Sequence, residues 1–121
     1  MRGAVRCEAD AGGITRITIS NTTKLNALSV AMWRELRAHV EALPADVRVV
    51  IVRGDGSDFA AGGDIEEFTG FRFEEDTLRR YHEEDVLPAL RAMLACDAAL
   101  VAQIEGACIG AGLEIAACCD I

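Results

Sequence analysis

Two short stretches of this chain place small residues between an apolar run and a helix-forming run. They are Asp58-Phe59-Ala60-Ala61-Gly62-Gly63-Asp64 and Gly106-Ala107-Cys108-Ile109-Gly110-Ala111-Gly112. Small residues let a backbone approach a ligand closely, and the first amides of a helix have no partner within it. Two such N–H groups converging on one oxygen stabilise an oxyanion or an enolate. Glu114 follows the second stretch within the first turns of its helix, where a carboxylate can orient water or move a proton. Either stretch alone is a tight turn, and Glu114 alone is an acid favoured by the helix dipole. The pair points to chemistry.

Other chemistries fit less well. A dinucleotide fingerprint needs an acidic residue about 20 positions beyond its glycines, and only nine residues follow Gly112. Gly54 to Gly63 lacks the G-K-[ST] of a phosphate loop. His82-Glu83-Glu84-Asp85 reads as a solvated helix face rather than a metal site. His39 is expected at the surface, Trp33 in the core, and Asp120 at a helix end or bonded to backbone.

The elements that must position these residues follow from periodicity. Ala4–Ala9 and Ile14–Ser20 are predicted strands joined at Ala11-Gly12-Gly13. The second alternates Thr15, Ile17 and Ile19 with Arg16 and Thr18. Ser29 caps a predicted helix with the stripe Trp33, Leu36, Val40 and Leu43, ended by Pro44. Val47–Arg53 is a continuous β-branched run, as a buried strand should be. Asp64 and Glu67 have the spacing of a capping box over a helix from Asp64 to Phe68. Thr77–Cys96 is helical, with Leu78, Tyr81, Leu87, Leu90 and Leu94 as core candidates and a kink or restart at Pro88. Ala98–Ile104 is a further strand. Gly110 onward is a helix apolar on nearly every side, which predicts burial by further chain or by another copy.

Composition bounds the possibilities. At 121 residues and 51% apolar, the chain suits one folded unit or a piece of one. A net charge of −8 with no Lys/Arg cluster argues against a nucleic-acid surface, though backbone amides can still bind an anion. No apolar run approaches the roughly 20 residues of a membrane span. Cys7, Cys96, Cys108, Cys118 and Cys119 form no C-x-x-C pair, and read as reduced thiols in a cytoplasmic protein.

Three segments together resemble the crotonase superfamily, the enoyl-CoA hydratases and isomerases. Asn21 to Leu28 is similar to its N-x-x-x-K-x-N-A-L segment, and Phe59 to Ile65 to its F-x-A-G-x-D-[IL] loop. Gly106 to Ile121 is similar to its G-x-x-x-G-G-G-x-E-[IL]-x-x-x-C-D-[IL] segment. The resemblance implies an α/β fold, a spiral of repeated β-β-α units, with residues 1–121 its N-terminal portion. It implies an acyl-CoA thioester as partner, with coenzyme A entering as part of the substrate and no metal or other cofactor. Oxyanion amides would belong to Gly63 and Ala111. Ala61 would offer its backbone to the adenine end of CoA, Asp64 and Ile65 would line the CoA path opposite Lys24 and Leu25, and Glu114 matches the first catalytic glutamate. Hydration of a 2-enoyl-CoA is the first expectation. Isomerisation or other enolate chemistry, or a binding-only fragment, is the alternative.

The chain also departs from that pattern. Ala111 stands at the middle glycine of G-G-G, and Glu66 where many members carry a cation near the CoA phosphates. The second glutamate of the hydratases, and the C-terminal helices that build trimers or dimers of trimers, fall outside these residues. The chain is therefore expected to be the N-terminal part of a longer protein.

Overall fold

The β-branched run at the centre of the chain organises the molecule. A computed structural model describes residues 2–68 and 74–121. Four strands, β1 (Ala4–Ala9), β2 (Ile14–Ser20), β3 (Val49–Gly54) and β4 (Ala99–Gln103), form one sheet in that order. The β1–β2 pair is an antiparallel hairpin, while β2–β3 and β3–β4 are parallel and need crossovers. Register sets Val5 beside Ile19, Ile17 beside Val52, and Val50 beside Leu100. All six are at most 2% exposed, so one sheet face is the core. β3 begins two residues later than expected, because Val47 turns back to Pro44 O instead of pairing, and runs one residue further, to Gly54; β4 is one residue shorter at each end.

Helix α1 (Val30–Glu41) makes the first crossover and packs on β1 and β2 through Met32, Trp33, Leu36 and Val40. Ser29 Oγ accepts the Met32 N–H at 3.2 Å, as the cap reading required. His39, expected at the surface, is half-buried, and its Nε2 donates to Val5 O at 2.8 Å. The predicted capping box at Asp64 and Glu67 forms only half. Asp64 Oδ1 accepts the Glu66 N–H at 3.1 Å over the short helix α2 (Ile65–Phe68). Glu67 reaches instead to the Val30 N–H at 2.7 Å, satisfying an orphan donor of α1.

The second crossover contains a rod of three parts: α3 (Glu75–Tyr81), a π-helical segment (His82–Val86) and α4 (Leu87–Ala95). Pro88 has no N–H for the carbonyl four residues back, and the rod widens just ahead of it. There the Leu87 N–H donates to His82 O, five residues back. One extra residue in a turn rotates everything after it by about 100°. This is why two expected core residues fail: Leu87 is 37% and Leu94 67% exposed, whereas Val86, Ala89, Leu90 and Met93 are buried.

Helix α5 (Ala111–Ala117) buries Ala111, Gly112 and Ile115 but leaves Leu113 59% exposed, so the all-round burial read from its composition holds on one side within this chain. Asp120 binds backbone, as expected, accepting the Leu100 N–H at 2.8 Å. Ile121 lies against β4, donating to Leu100 O and accepting from Ala102. All five cysteines are free. Among the described residues, no helix is long and apolar enough to cross a membrane.

Candidate active site

Loop residues 58–64 leave the end of β3, and residues 106–110 leave the end of β4, so two parallel neighbours deliver both loops to one edge of the sheet. The loops are then stitched together. Phe59 and Ala60 N–H both donate to Ala107 O at 3.1 and 3.0 Å, Ile109 N–H donates to Ala60 O at 3.0 Å, and Asp58 Oδ1 accepts the Ala107 N–H at 2.8 Å. Gly112 permits this approach, because a Cβ there would stand 2.2 Å from Ala60 O. Gly110 supplies the turn with φ 54° and ψ −115°. Ala111 sits between them as the first helical residue, where an L-residue is unstrained. The departure from three glycines therefore leaves its amide in place.

A third segment closes the assembly. Leu25 O accepts the Ala61 N–H, Leu28 N–H donates to Gly62 O, and Leu28 O accepts the Asp64 N–H, all within 3.0 Å. Leu25 and Asn26 both take left-handed backbone, φ 52° and 59°, which is uncommon for a leucine and costs on the order of 1 kcal/mol. Buried Asn26 holds the bend by donating its amide to Asp55 O and Asp58 O at 2.8 and 2.9 Å. The segment matched to N-x-x-x-K-x-N-A-L is thus also a clamp on the first loop.

With these partners assigned, several loop amides are left, those of Gly63 and Ala111 among them. Among the described residues, neither the Gly63 N–H nor the Ala111 N–H donates to a protein acceptor. Both line one cavity of about 470 Å³, together with Trp33, Leu78, Tyr81, His82, Val86, Gly110 and Glu114. Trp33 Nε1 donates to the Tyr81 hydroxyl at 2.9 Å. Burial pushes the Tyr81 phenol up to about 12, and the Glu67 and Glu114 charges act in the same direction, so this wall stays neutral.

Gly63 also lines a second cavity of about 430 Å³ with Lys24, Leu25, Ala61, Asp64, Ile65 and Glu66. Lys24 Nζ lies 3.1 Å from Asp64 and 3.2 Å from Glu66, and these hydrogen bonds, Asp64 first, hold its ammonium above the usual lysine range. All eight residues singled out from sequence therefore meet around two cavities that share Gly63.

Sequence reasoning missed the far wall of the larger cavity. Trp33 and Tyr81 were read as core only, and His82 as solvated. Asp85 was read with it, yet is buried and paired to Arg34 at 2.8 Å. One signal was available: the apolar spacing jumps by five from Tyr81 to Val86, a step no regular α-helix repeats.

Comparison with known proteins bears on the family and the fold. The family model described as enoyl-CoA hydratase/isomerase matches residues 9–121. Enoyl-CoA hydratase domain-containing protein 3, mitochondrial, of Rattus norvegicus is 34% identical over 114 residues, covering 90% of this chain and 36% of that protein. A probable enoyl-CoA hydratase of Bacillus subtilis is 34% identical over 108 residues, covering 87% of this chain and 40% of its own length. Among solved structures, an enoyl-CoA hydratase/carnithine racemase from Magnetospirillum magneticum superposes with a TM-score of 0.90 at 38% identity, covering 97% of this chain and 44% of that one. The chain spans less than half the length of each of these relatives. With sequence and fold agreeing along nearly all of its residues, the chain belongs to the enoyl-CoA hydratase/isomerase family.

Proposed function

We propose that this chain binds an acyl-CoA thioester and hydrates a 2-enoyl-CoA to the 3-hydroxyacyl-CoA. One observation carries the reading: Gly63 and Ala111, whose amides have no protein acceptor among the described residues, line the same cavity as Glu114. Both amides donate to the thioester oxygen. As electron density moves from the C2=C3 bond toward that oxygen, C3 becomes electrophilic and the resulting enolate is stabilised. Glu114 takes part in the accompanying proton movement. The CoA portion lies along the smaller cavity, with Ala61 toward its adenine and Lys24 toward its phosphates. This chemistry draws on no metal or redox cofactor.

Double-bond isomerisation is the second reading. It is favoured by the larger cavity's lining, which holds one carboxylate, Glu114, among the described residues. A single acid can shuttle a proton between C2 and C4.

The test is loss of the conjugated thioester absorbance of crotonyl-CoA with the full-length protein. Turnover is expected, and Glu114→Gln should lower kcat by about 10²- to 10⁴-fold while KM changes little. Failure to bind any CoA thioester would overturn the reading. Binding without hydration, but with positional shift of a 3-enoyl double bond, would select the isomerase.

A further inference from the structure

We infer that Arg34 is a positioning residue for acyl-chain length, acting through Asp85 on the π-helical wall of the larger cavity. The inference rests on the thioester reading above. Arg34 stands outside the cavity lining, whereas its neighbour Trp33 belongs to it. These two consecutive residues of α1 grip the rod at points four residues apart. Trp33 Nε1 donates to the Tyr81 hydroxyl at 2.9 Å, and Arg34 Nε donates to Asp85 Oδ1 at 2.8 Å. The π-helical segment, His82–Val86, starts directly after the first point and ends directly after the second. Its widened turn is therefore pinned from α1 at both ends.

The second grip is the one whose loss has consequences. The Asp85 side chain is 8% exposed, while that of Arg34 is 68% exposed. Among the described residues, Arg34 alone bonds the Asp85 carboxylate. A pair of exposed charges holds little, but a buried carboxylate deprived of its cation is strongly unfavourable. Without Arg34, Asp85 turns toward water and the segment that carries it rotates. A π-helical turn is suited to this, because it already holds a surplus residue within its longer hydrogen-bonded ring. Val86, the next residue, is then withdrawn from the cavity wall.

That wall is what an acyl tail meets. A thioester whose oxygen lies at Gly63 and Ala111 extends its chain into the cavity they share with Leu78, Tyr81 and Val86. Tyr81 and Val86 are buried, packed from behind, and do not yield to a longer chain while the rod keeps its phase. The Trp33 N–H is already spent on Tyr81, so it offers no donor to a polar tail. The substrate class is a short hydrocarbon acyl group, and the Arg34–Asp85 pair maintains the limit.

The experiment compares kcat/KM for crotonyl-CoA and decenoyl-CoA in the full-length protein, for wild type, R34A, R34K and Y81F, with melting temperatures measured alongside. Wild type should prefer the shorter chain by about tenfold or more. R34A should move that ratio toward decenoyl-CoA by about tenfold, with kcat for crotonyl-CoA within about threefold of wild type. R34K keeps a cation beside Asp85 and should restore the ratio to within about twofold. Y81F loosens the other grip and should shift the ratio the same way by a smaller factor. The inference is overturned if R34A keeps the wild-type ratio, whatever its melting temperature, or if R34K shifts it as far as R34A. It is also overturned if wild type shows no preference for the shorter chain. Should R34A fail to fold, an unchanged ratio in Y81F overturns it instead. The parent reading fails separately, through turnover of neither thioester together with absence of acetoacetyl-CoA binding in calorimetry.

Discussion

The two cavities that meet at Gly63 are built in opposite ways. The smaller draws its walls from two compact stretches, residues 23–27 and 61–66, and an ion pair already spans it. The larger takes Trp33 from α1, Leu78 and Tyr81 from α3, His82 and Val86 from the π-helical segment, and Ala111 and Glu114 from α5. Its walls are apolar or neutral apart from Glu114 and His82. On the proposed reading, the smaller cavity grips the charged portion of the ligand, and the larger holds the acyl chain. Substitutions in the first should move KM, and in the second kcat.

The largest expected effect breaks the larger cavity at one atom. Ala111→Pro removes a single N–H at the first helical position, where proline is tolerated. The rate of thioester turnover should fall by about 10²- to 10³-fold with little change in melting temperature. An unchanged rate with a folded protein would remove Ala111 from the oxyanion hole.

A smaller effect tests the neutral wall. The folded-state pKa of Tyr81, about 12, lies above the ordinary value of 10.0, because burial disfavours the phenolate. Its contribution is complete below pH about 10 and is lost as pH rises toward 12, by on the order of 2 kcal/mol. Denaturant titrations should show wild type losing its advantage over Tyr81→Phe across that window. At neutral pH the variant should be weaker by about 1 kcal/mol, since the Trp33 N–H loses its acceptor. Parallel stability curves would contradict the burial account.

The smallest effect concerns the gripping cavity. Glu66→Gln frees Lys24 from one of its two carboxylates, leaving Asp64. KM for an acyl-CoA should fall by about two- to fivefold with kcat unchanged, because an exposed pair is weak. A change in kcat instead would erase the contrast between the cavities.

How far the sequence reaches differs along the same line. Asn21 to Leu28 and Phe59 to Ile65 are contiguous, and their contacts are mostly backbone to backbone, so motif and geometry coincide. Gly110 and Gly112 were legible for the same reason: one needs a left-handed turn, the other close approach to Ala60. The far wall was not legible, because one inserted residue in the rod rotated Val86, Ala89, Leu90 and Met93 inward and turned Leu87 and Leu94 out. Glu67 looked like half of a local capping box, yet serves Val30 across the fold.

The sequence by itself determined the strand and helix order, the glycine loops and the placement of Glu114, since periodicity, turn chemistry and capping act over a few residues. Tertiary structure alone decided that Gly63 and Ala111 line one cavity. It alone set Trp33, Tyr81 and His82 opposite Glu114, because those proximities depend on parallel strand pairing and on the phase of a helix widened ahead of Pro88.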